Sequence, residues 1–470
     1  MSPDYAQPGE NRWLFALYLV LIVWVPIPLG SNRPWAWAIL ELWVFALAIW
    51  WLLDFARGKT PLSPTLKCAW PALVCAALWL AYVWLQLLPL RFGLLQLLSP
   101  EAARAHAAVG MIAPATAPLT LDRYGTLDGA LKSAAYVAFF ALSLALLDRH
   151  ERIAAAASTL VVSGFAQAMY GGLAALLQPG AAAHGSFVNR NHFAAYLVMC
   201  LSMGLGLLIA SLTGEVSRSW KQFLRNVIDW ILSARMLLRL ALVVMVIALV
   251  LTHSRMGNSS FFVSLLIAGA IGLLLAKRAT KSMVVLIASL IVIDIFIVGA
   301  YFGVQRVLNR IEQTTMQTEN RPDIASDTLR MWKDYPLFGS GLGSFHVVFP
   351  RYPRQDLGAL YTHEHNDYLE FASETGVVGI ALLGVLVLSS LLAAVRAQIT
   401  RRDPLMRGIA FGAIMAMIAL GQHSTVDFNL QIPANALTFM LVLAFAWISR
   451  YHRAPGESRS DEQAQQSAQA

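Results

Sequence analysis

The sequence predicts an all-α polytopic membrane protein, on three observations. Hydrophobic residues fill 57% of the 470 positions and charged residues only 13%, against about 25% charge in soluble domains. The apolar residues gather into runs of the roughly 20 residues a helix needs to cross a bilayer core. Basic residues fall in alternate gaps between the runs, as the positive-inside rule requires of cytoplasmic loops. Topology therefore accounts for the net charge of +8, and no nucleic-acid partner is expected.

About twelve spans are predicted on this length criterion, near 13–30, 35–53, 69–89, 131–147, 153–177, 192–212, 237–252, 257–276, 282–303, 375–395, 406–423 and 433–449. The opening "MSPDYAQPGENR" is polar, and no small-residue cleavage site follows the first run, so that run is expected to stay as an anchor. Loops assigned to the cytoplasm carry "DFARGK", "DRHER", "AKRATK", "RAQITRRDPLMR" and the basic 213–236 stretch. An even span count returns both ends of the chain to that side, where the tail beyond 450 is too poor in apolar residues to pack.

Three loops on the other side are long: 90–130, 178–191 and 304–374. A loop of that last length is usually functional or builds its own structure. It is expected to form a small membrane-apposed unit between the ninth and tenth spans. Within it, "SDTLRMWKDYPLFGSGLGSF" reads as an amphipathic helix broken by Pro336, then a glycine-rich tight turn. The chain thus divides into a cytoplasmic tail 1–12, spans one to nine in 13–303, a large outside loop 304–374, spans ten to twelve in 375–449, and a tail 450–470. Cys68, Cys75 and Cys200 have neither metal-ligand nor disulfide spacing and read as small core residues.

With the loops assigned, the polar residues collect on one side. Arg190, Asn191 and His192 open the sixth span in "GSFVNRNHFAAYL", and His253 and Arg255 occupy the short turn "THSRMG". Arg330 and Arg321 belong to the long loop, "THEHNDYLE" supplies His363, His365, Asn366 and Asp367, and "GQHSTVDFN" brings His423 to the same level. Charge at a bilayer boundary is costly and tends to mark a pathway or a site. Snorkelling to lipid phosphate is the bland alternative for each arginine. Several guanidinium forks on one face, however, suit the oxygens of a diphosphate.

The histidines of 363–365 admit a metal-pair reading, disfavoured because an arginine cluster already offers a way to neutralise a diphosphate. A capping role is the other plain reading. A neutral imidazole near an acceptor hydroxyl could serve as base or orienting group. Asn366 and Asp367 are expected to cap the helix that follows, while Glu370 and Glu374 are expected to face water or pair with arginines. "GSGLGSF" lacks the preceding strand and following lysine of a nucleotide loop.

Together "GSFVNRNHFAAYL", "HSRMG", "RMWKDYPLFGSGLGSF", "HEHNDYLEFASETGVVG" and "HSTVDFNLQIPAN" resemble the O-antigen ligase family, whose domain is shared with O-antigen polymerases and bacterial protein O-oligosaccharyltransferases. The resemblance implies a GT-C-type inverting glycosyltransferase of the bacterial inner membrane that works on the periplasmic face without metal, cofactor or nucleotide sugar. Its donor would be a glycan on undecaprenyl diphosphate, its acceptor a sugar hydroxyl of the lipid A core, and its surroundings membrane lipid. By the same resemblance Arg190 and Arg255 match diphosphate-binding arginines, Arg330 matches the arginine of the large periplasmic loop and is expected to bind the diphosphate with them, and His365 with Asn366 matches the loop histidine motif. His363 is an additional histidine, so either ring could be the catalytic one. Asn191, His253, Asn366, Asp367 and His423 are the expected supporting residues.

A polymerase, with a second lipid-linked unit as acceptor, is the nearest alternative, followed by a protein O-oligosaccharyltransferase. A transporter would need polar residues near mid-membrane on broken helices. Asp294 is the main isolated acid deep in an apolar run, and the one-sided clustering favours catalysis.

Overall fold

The computed structural model of the chain describes residues 11–108, 114–178, 180–211, 234–275, 321–354 and 361–452. It is built from α1 (Arg12–Trp24), α2 (Pro34–Ala56), α3 (Pro64–Cys68), α4 (Trp70–Leu87), α5 (Phe92–Leu98), α6 (Pro100–Ala108), α7 (Arg123–Leu146) and α8 (His150–Leu177). These continue into α9 (Arg190–Ala210), α10 (Ala234–Leu251), α11 (Arg255–Leu275), α12 (Arg321–Asp334), α13 (Phe345–Val348), α14 (Asp367–Thr400), α15 (Pro404–His423) and α16 (Pro433–Tyr451). Leu90–Arg91 pairs antiparallel with Thr116–Ala117.

Among the described residues, nine helices are long and apolar enough to cross a membrane: α2, α4, α7, α8, α9, α11, α14, α15 and α16. The chain is an all-α polytopic membrane protein. Helices α1 and α10 occupy the first and seventh predicted spans. The predicted ninth span 282–303 with its Asp294, the connection 213–233, the first part of the long loop, 304–320, and both chain ends, 1–10 and 453–470, lie outside the described residues.

Local chemistry explains where the helices begin. The side chains of Asp122, Asn189, Asn366 and Asp403 accept from backbone amides in the first turns of α7, α9, α14 and α15, satisfying donors that the helix leaves orphaned. Pro34, Pro404 and Pro433 open α2, α15 and α16, where a missing N–H costs nothing. Helices α9 and α16 form the centre, with 83% and 89% of their apolar windows buried, whereas α2 and α14 at 22% and 28% face outward. Gly206 of α9 meets the backbone of Gly408 and Gly412 on α15 so closely that a Cβ would collide, the small-residue contact that lets membrane helices approach.

The loops segregate to two ends as the alternating topology demands. At one end Ser186 Oγ donates to Pro26 O (2.5 Å), Ala183 N to Leu251 O (2.8 Å), and Leu121 N to Ser340 O (2.8 Å). At the other, His150 Nε2 lies 2.7 Å from Asp403 Oδ2, Asn11 Nδ2 donates to Asp54 Oδ2 (2.6 Å), and Ser63 Oγ to Leu144 O (2.7 Å). Cys75 and Cys200 are buried as expected; Cys68 is exposed, because it ends the five-residue α3 at a loop rather than inside an apolar helix.

At the first end, residues from the 90–120 loop and from 321–352 share a separate apolar core that includes Leu95, Leu119, Met331, Tyr335, Phe345 and Phe349. Helix α14 is broken at Gly376 (φ 61°). A Cβ there would strike the Leu337 carbonyl, and one at Gly339 (φ 68°) the backbone of Glu374, so glycine is required at both. Tyr82 Oη donates to the carbonyls of Phe338 (2.7 Å) and Thr375 (2.6 Å), and Gln86 Oε1 accepts from Leu342 N (3.1 Å). The glycine-rich turn is thus consumed in tight packing against α4, α7 and α14.

Candidate functional site

The site is built around one carboxylate. Asp427, in the connection between α15 and α16, is 1% exposed. Its Oδ2 accepts from Asn191 Nδ2 (2.7 Å), and its Oδ1 lies 3.2 Å from His365 Nδ1 and 3.5 Å from His192 Nε2. Burial would raise this carboxyl, but the contacts with His192 and His365 outweigh it and hold it well below the usual carboxylate range. An ionised carboxylate can only accept. His365 Nδ1 therefore carries a proton, which in the neutral ring leaves the Nε2 lone pair available. About a quarter of the His365 side chain is exposed.

Phe428, the next residue, gives the histidines a common apolar surface. Its ring centroid lies 4.6 Å from that of His192, 4.5 Å from that of His363 and 5.1 Å from that of His365. Three imidazoles from two distant segments thus pack on one benzene ring.

His363 has a different partner. Its Nδ1 is 2.7 Å from Glu370 Oε1, and Glu370 Oε2 accepts from Glu364 N (2.9 Å). Burial pushes the His363 imidazole down to about 4, against Glu374 and Asp427, which favour its charged form. Glu370 and Glu374 do not face water, and among the described residues neither pairs with an arginine: each is 1% exposed, and Glu374 accepts from Phe345 N (2.9 Å). The break at Gly376 explains the difference. It ends residues 367–375 as a short helix on which Glu374 is covered at Phe345, just past the glycine turn, and Glu370 is enclosed by His363 and the Glu364 amide.

Asn366 is the side-chain cap of α14, accepting from Tyr368 N (3.0 Å) and Leu369 N (3.2 Å). Asp367, the first residue of the helix, ties it to the α15–α16 connection by accepting from Ser424 Oγ (2.6 Å) and Leu430 N (3.2 Å). His423, at the end of α15, is buried.

Arg190 and Arg255 are both exposed at the first residues of α9 and α11. These helix ends are adjacent: a Cβ on Gly257 would press on Ala194 Cβ at 2.6 Å, two residues from Arg255 and four from Arg190. Neither first turn contains an acid. A cation at a helix N-terminus opposes the macrodipole, so an anion bound there would relieve both. His253 takes positive φ (51°) in the turn before α11. Arg330 stands in a different network, donating to Asp327 Oδ1 (3.2 Å) and to the Tyr352 carbonyl (3.0 Å). Arg321 lies at the start of α12.

The structure thus brings Asn191, His363, His365, Asn366 and Asp367 to one centre, with Arg190 beginning the helix that supplies Asn191. It adds Asp427 and Phe428 to the residues the sequence singled out, and gives His192 and Glu370, which the sequence placed elsewhere or left without a role, direct contacts at that centre. The signal for Asp427 was present: an acid between two apolar stretches, four residues after His423 at the end of α15.

Residues 240–384 match the protein-family model described as O-antigen ligase. The matched stretch contains His253, Arg255, Arg330, His363, His365, Asn366 and Asp367, while Arg190, Asn191, His423 and Asp427 lie outside it. No curated protein matches the chain.

Proposed function

From a chain that carries the O-antigen ligase family domain at residues 240–384, we propose a glycosyltransferase that moves a glycan from undecaprenyl diphosphate to a sugar hydroxyl of the lipid A core. The reaction takes place on the periplasmic face of the bacterial inner membrane, with inversion and without a metal. The observation that carries this reading is the contact chain from Arg190, through its neighbour Asn191, to Asp427 and on to His365. It links a cationic helix end to an imidazole with a free ring nitrogen.

Arg190 and Arg255 hold the donor diphosphate. Their guanidinium groups and the two helix ends neutralise charge that develops as the glycosidic C–O bond to the diphosphate breaks. His365 Nε2 accepts or orients the acceptor hydroxyl proton while Asp427 keeps the ring turned toward it, so the hydroxyl oxygen attacks the anomeric carbon opposite the leaving diphosphate. His363, held on Glu370, shapes the same wall through Phe428. Arg330 braces the outer unit against Asp327 and Tyr352, and its contribution to the diphosphate is made through the position of that unit. The membrane-embedded donor needs only lateral movement to reach the site, which supplies much of the positioning.

The test is reconstitution of the purified chain with lipid-linked glycan and, separately, lipid A core, a second portion of donor, or an acceptor peptide. Glycosylated lipid A core is the expected product. Chain extension from donor alone identifies a polymerase, and labelled peptide a protein glycosyltransferase. Either outcome overturns the ligase assignment.

A further inference from the structure

Helix α5 (Phe92–Leu98), in the loop between α4 and α7, divides its apolar residues between two sides. Leu95 is fully buried in the core shared with 321–352, and Phe92 and Leu98 pack against that core. Leu94 and Leu97, one turn apart, point away from it and are 45% and 79% exposed. Gly93, one turn before Leu97, has open space where a side chain would stand. The helix thus carries apolar side chains both on the side that packs and on the side left exposed, and the catalytic reading makes no use of the second.

Single exposed leucines on a water-facing surface are ordinary. What marks these two is the surface they continue. Helix α4 turns Val74, Leu78, Leu85 and Leu88 outward, at spacings of one or two helical turns that place them in a single stripe, while Cys75, Trp79, Tyr82 and Gln86 form its buried side. On a membrane span such a stripe is the lipid-facing surface, and here it runs to Leu88, the residue that ends the helix.

Both ends of the loop carry the side chains of a membrane–water boundary. Trp84 and Tyr124 are exposed, and their rings favour the headgroup level. Arg91 and Arg123 are exposed as well, and long basic side chains there reach lipid phosphate. Thr120 N donates to Gln86 O (3.1 Å), and Leu90–Arg91 pairs with Thr116–Ala117. The loop is therefore tied at both ends to the last turn of α4, and α5 starts at the residue after Arg91.

We propose that α5 is an interfacial helix whose Leu94 and Leu97 enter the boundary between headgroups and acyl chains of the phospholipid leaflet on the Asp427 side. Arg91 lies at the phosphates beside it. The lipid-facing stripe of α4 then continues onto the outer unit, as an amphipathic segment in the plane of the bilayer allows. Because Met331 and Phe349 share their core with Leu95, the 321–352 segment is seated on the membrane through α5 as well as on the helix bundle.

The test is spin-label accessibility in the full chain, reconstituted into nanodiscs of phosphatidylethanolamine and phosphatidylglycerol. Cys68→Ser removes the exposed cysteine, leaving Cys75 and Cys200 buried. A nitroxide is then attached through Gly93→Cys, Leu94→Cys or Leu97→Cys. Leu78→Cys on α4 is the lipid reference, and Arg104→Cys on α6, where the side chain is 74% exposed, is the water reference. Oxygen concentrates in the bilayer and a nickel chelate stays in water. The ratio of oxygen to nickel collision rates at 94 and 97 is expected to exceed that at 104 by about threefold or more and to approach that at 78, as for apolar residues buried at the acyl boundary. A ratio equal to that at 104 leaves the face in water and overturns the proposal. Low collision with both reagents overturns it too, since a second copy or another protein would then cover the helix. Gly93→Cys, where open space accepts a side chain, gives the same reading should either leucine variant fail to fold. No glycan substrate enters the measurement, so its outcome is separate from that of the ligase reading.

Discussion

His365 and Asp427, 62 residues apart in the chain, meet through Nδ1 and Oδ1 at 3.2 Å, and the same carboxylate is anchored by Asn191 of α9. This arrangement fixes both the tautomer and the direction of the histidine ring. Asp427→Asn replaces an obligate acceptor with a group that can present its amide to Nδ1, removing the constraint that leaves Nε2 free. Transfer is expected to fall by about 10²-fold, the lower range for a lost acid–base contribution, with the donor KM little changed. His365→Ala should fall at least as far, and the double variant no further. Additive losses in that double-mutant cycle would show that the two residues do not act as a unit.

Arg190 and Arg255 open adjacent helices with no acid in either first turn. Arg255→Lys retains the charge but loses the bidentate fork. The donor KM is expected to rise about tenfold, the order of one hydrogen bond to a charged group, while the acceptor KM stays. Steady-state kinetics with the lipid-linked donor varied at fixed acceptor checks this. A change confined to the acceptor KM would place the diphosphate elsewhere.

Arg330 donates to Asp327 and to the Tyr352 carbonyl, so its removal leaves the nearly buried Asp327 carboxylate with the more exposed Arg354 as its remaining cationic partner. Arg330→Ala should lower the apparent melting temperature and expose the 321–354 unit to protease. Arg330→Lys should recover stability in part. Unchanged proteolysis alongside a raised donor KM would make Arg330 a direct diphosphate ligand.

His363 supplies a pH dependence whose sign follows from its environment. Burial lowers its pKa from 6.5 to about 4, so between these values the unfolded chain binds more protons than the folded one, and stability rises with pH. The contribution is present above about 6.5 and is lost as the pH falls toward 4. His363→Gln should flatten the melting temperature across this window relative to wild type. His452, whose pKa burial also lowers, contributes the same sign in both proteins and cancels in the comparison.

Gly376 breaks α14 at φ 61°, where a Cβ would strike the Leu337 carbonyl. Gly376→Ala should destabilise the fold by about 1–3 kcal/mol, the range for a non-glycine residue held in strained backbone. The neighbouring Gly384 has open space around it, so Gly384→Ala serves as the control and should be near neutral. Thermal melting of both variants in detergent makes the comparison.

The helical membrane fold was legible because hydropathy is a local property. The predicted start of the tenth span at 375 falls beside the break at Gly376, since apolar composition begins where the outer unit ends. The role of Asn366 as a cap was legible for the same local reason. What remained hidden depends on contacts between distant segments. Nothing near Glu370 in the chain announces that His363 and the Glu364 amide will enclose its carboxyl. Likewise the 90–120 loop and the 321–352 stretch each look like a connector, and only together do they bury Leu95 and Leu119 against Met331 and Phe349. The pairing of Lys132 with Asp128 (2.6 Å), with the ammonium over Trp37, shows how α2 and α7 accommodate charge that an apolar-run count passes over.

The Gly376 break carries a mechanical consequence. Residues 367–375 are bonded to the outer unit at Ser340, Gly341 and Phe345 and to the α15–α16 connection through Asp367, while Val377 and Val378 beyond the break donate to Pro336 and Leu337. Held on both sides, Gly376 is a fixed corner rather than a swivel. It lets one continuous stretch of chain leave the membrane at a new angle and deliver the turn behind His365 to the Asp427 connection without unwinding a membrane span.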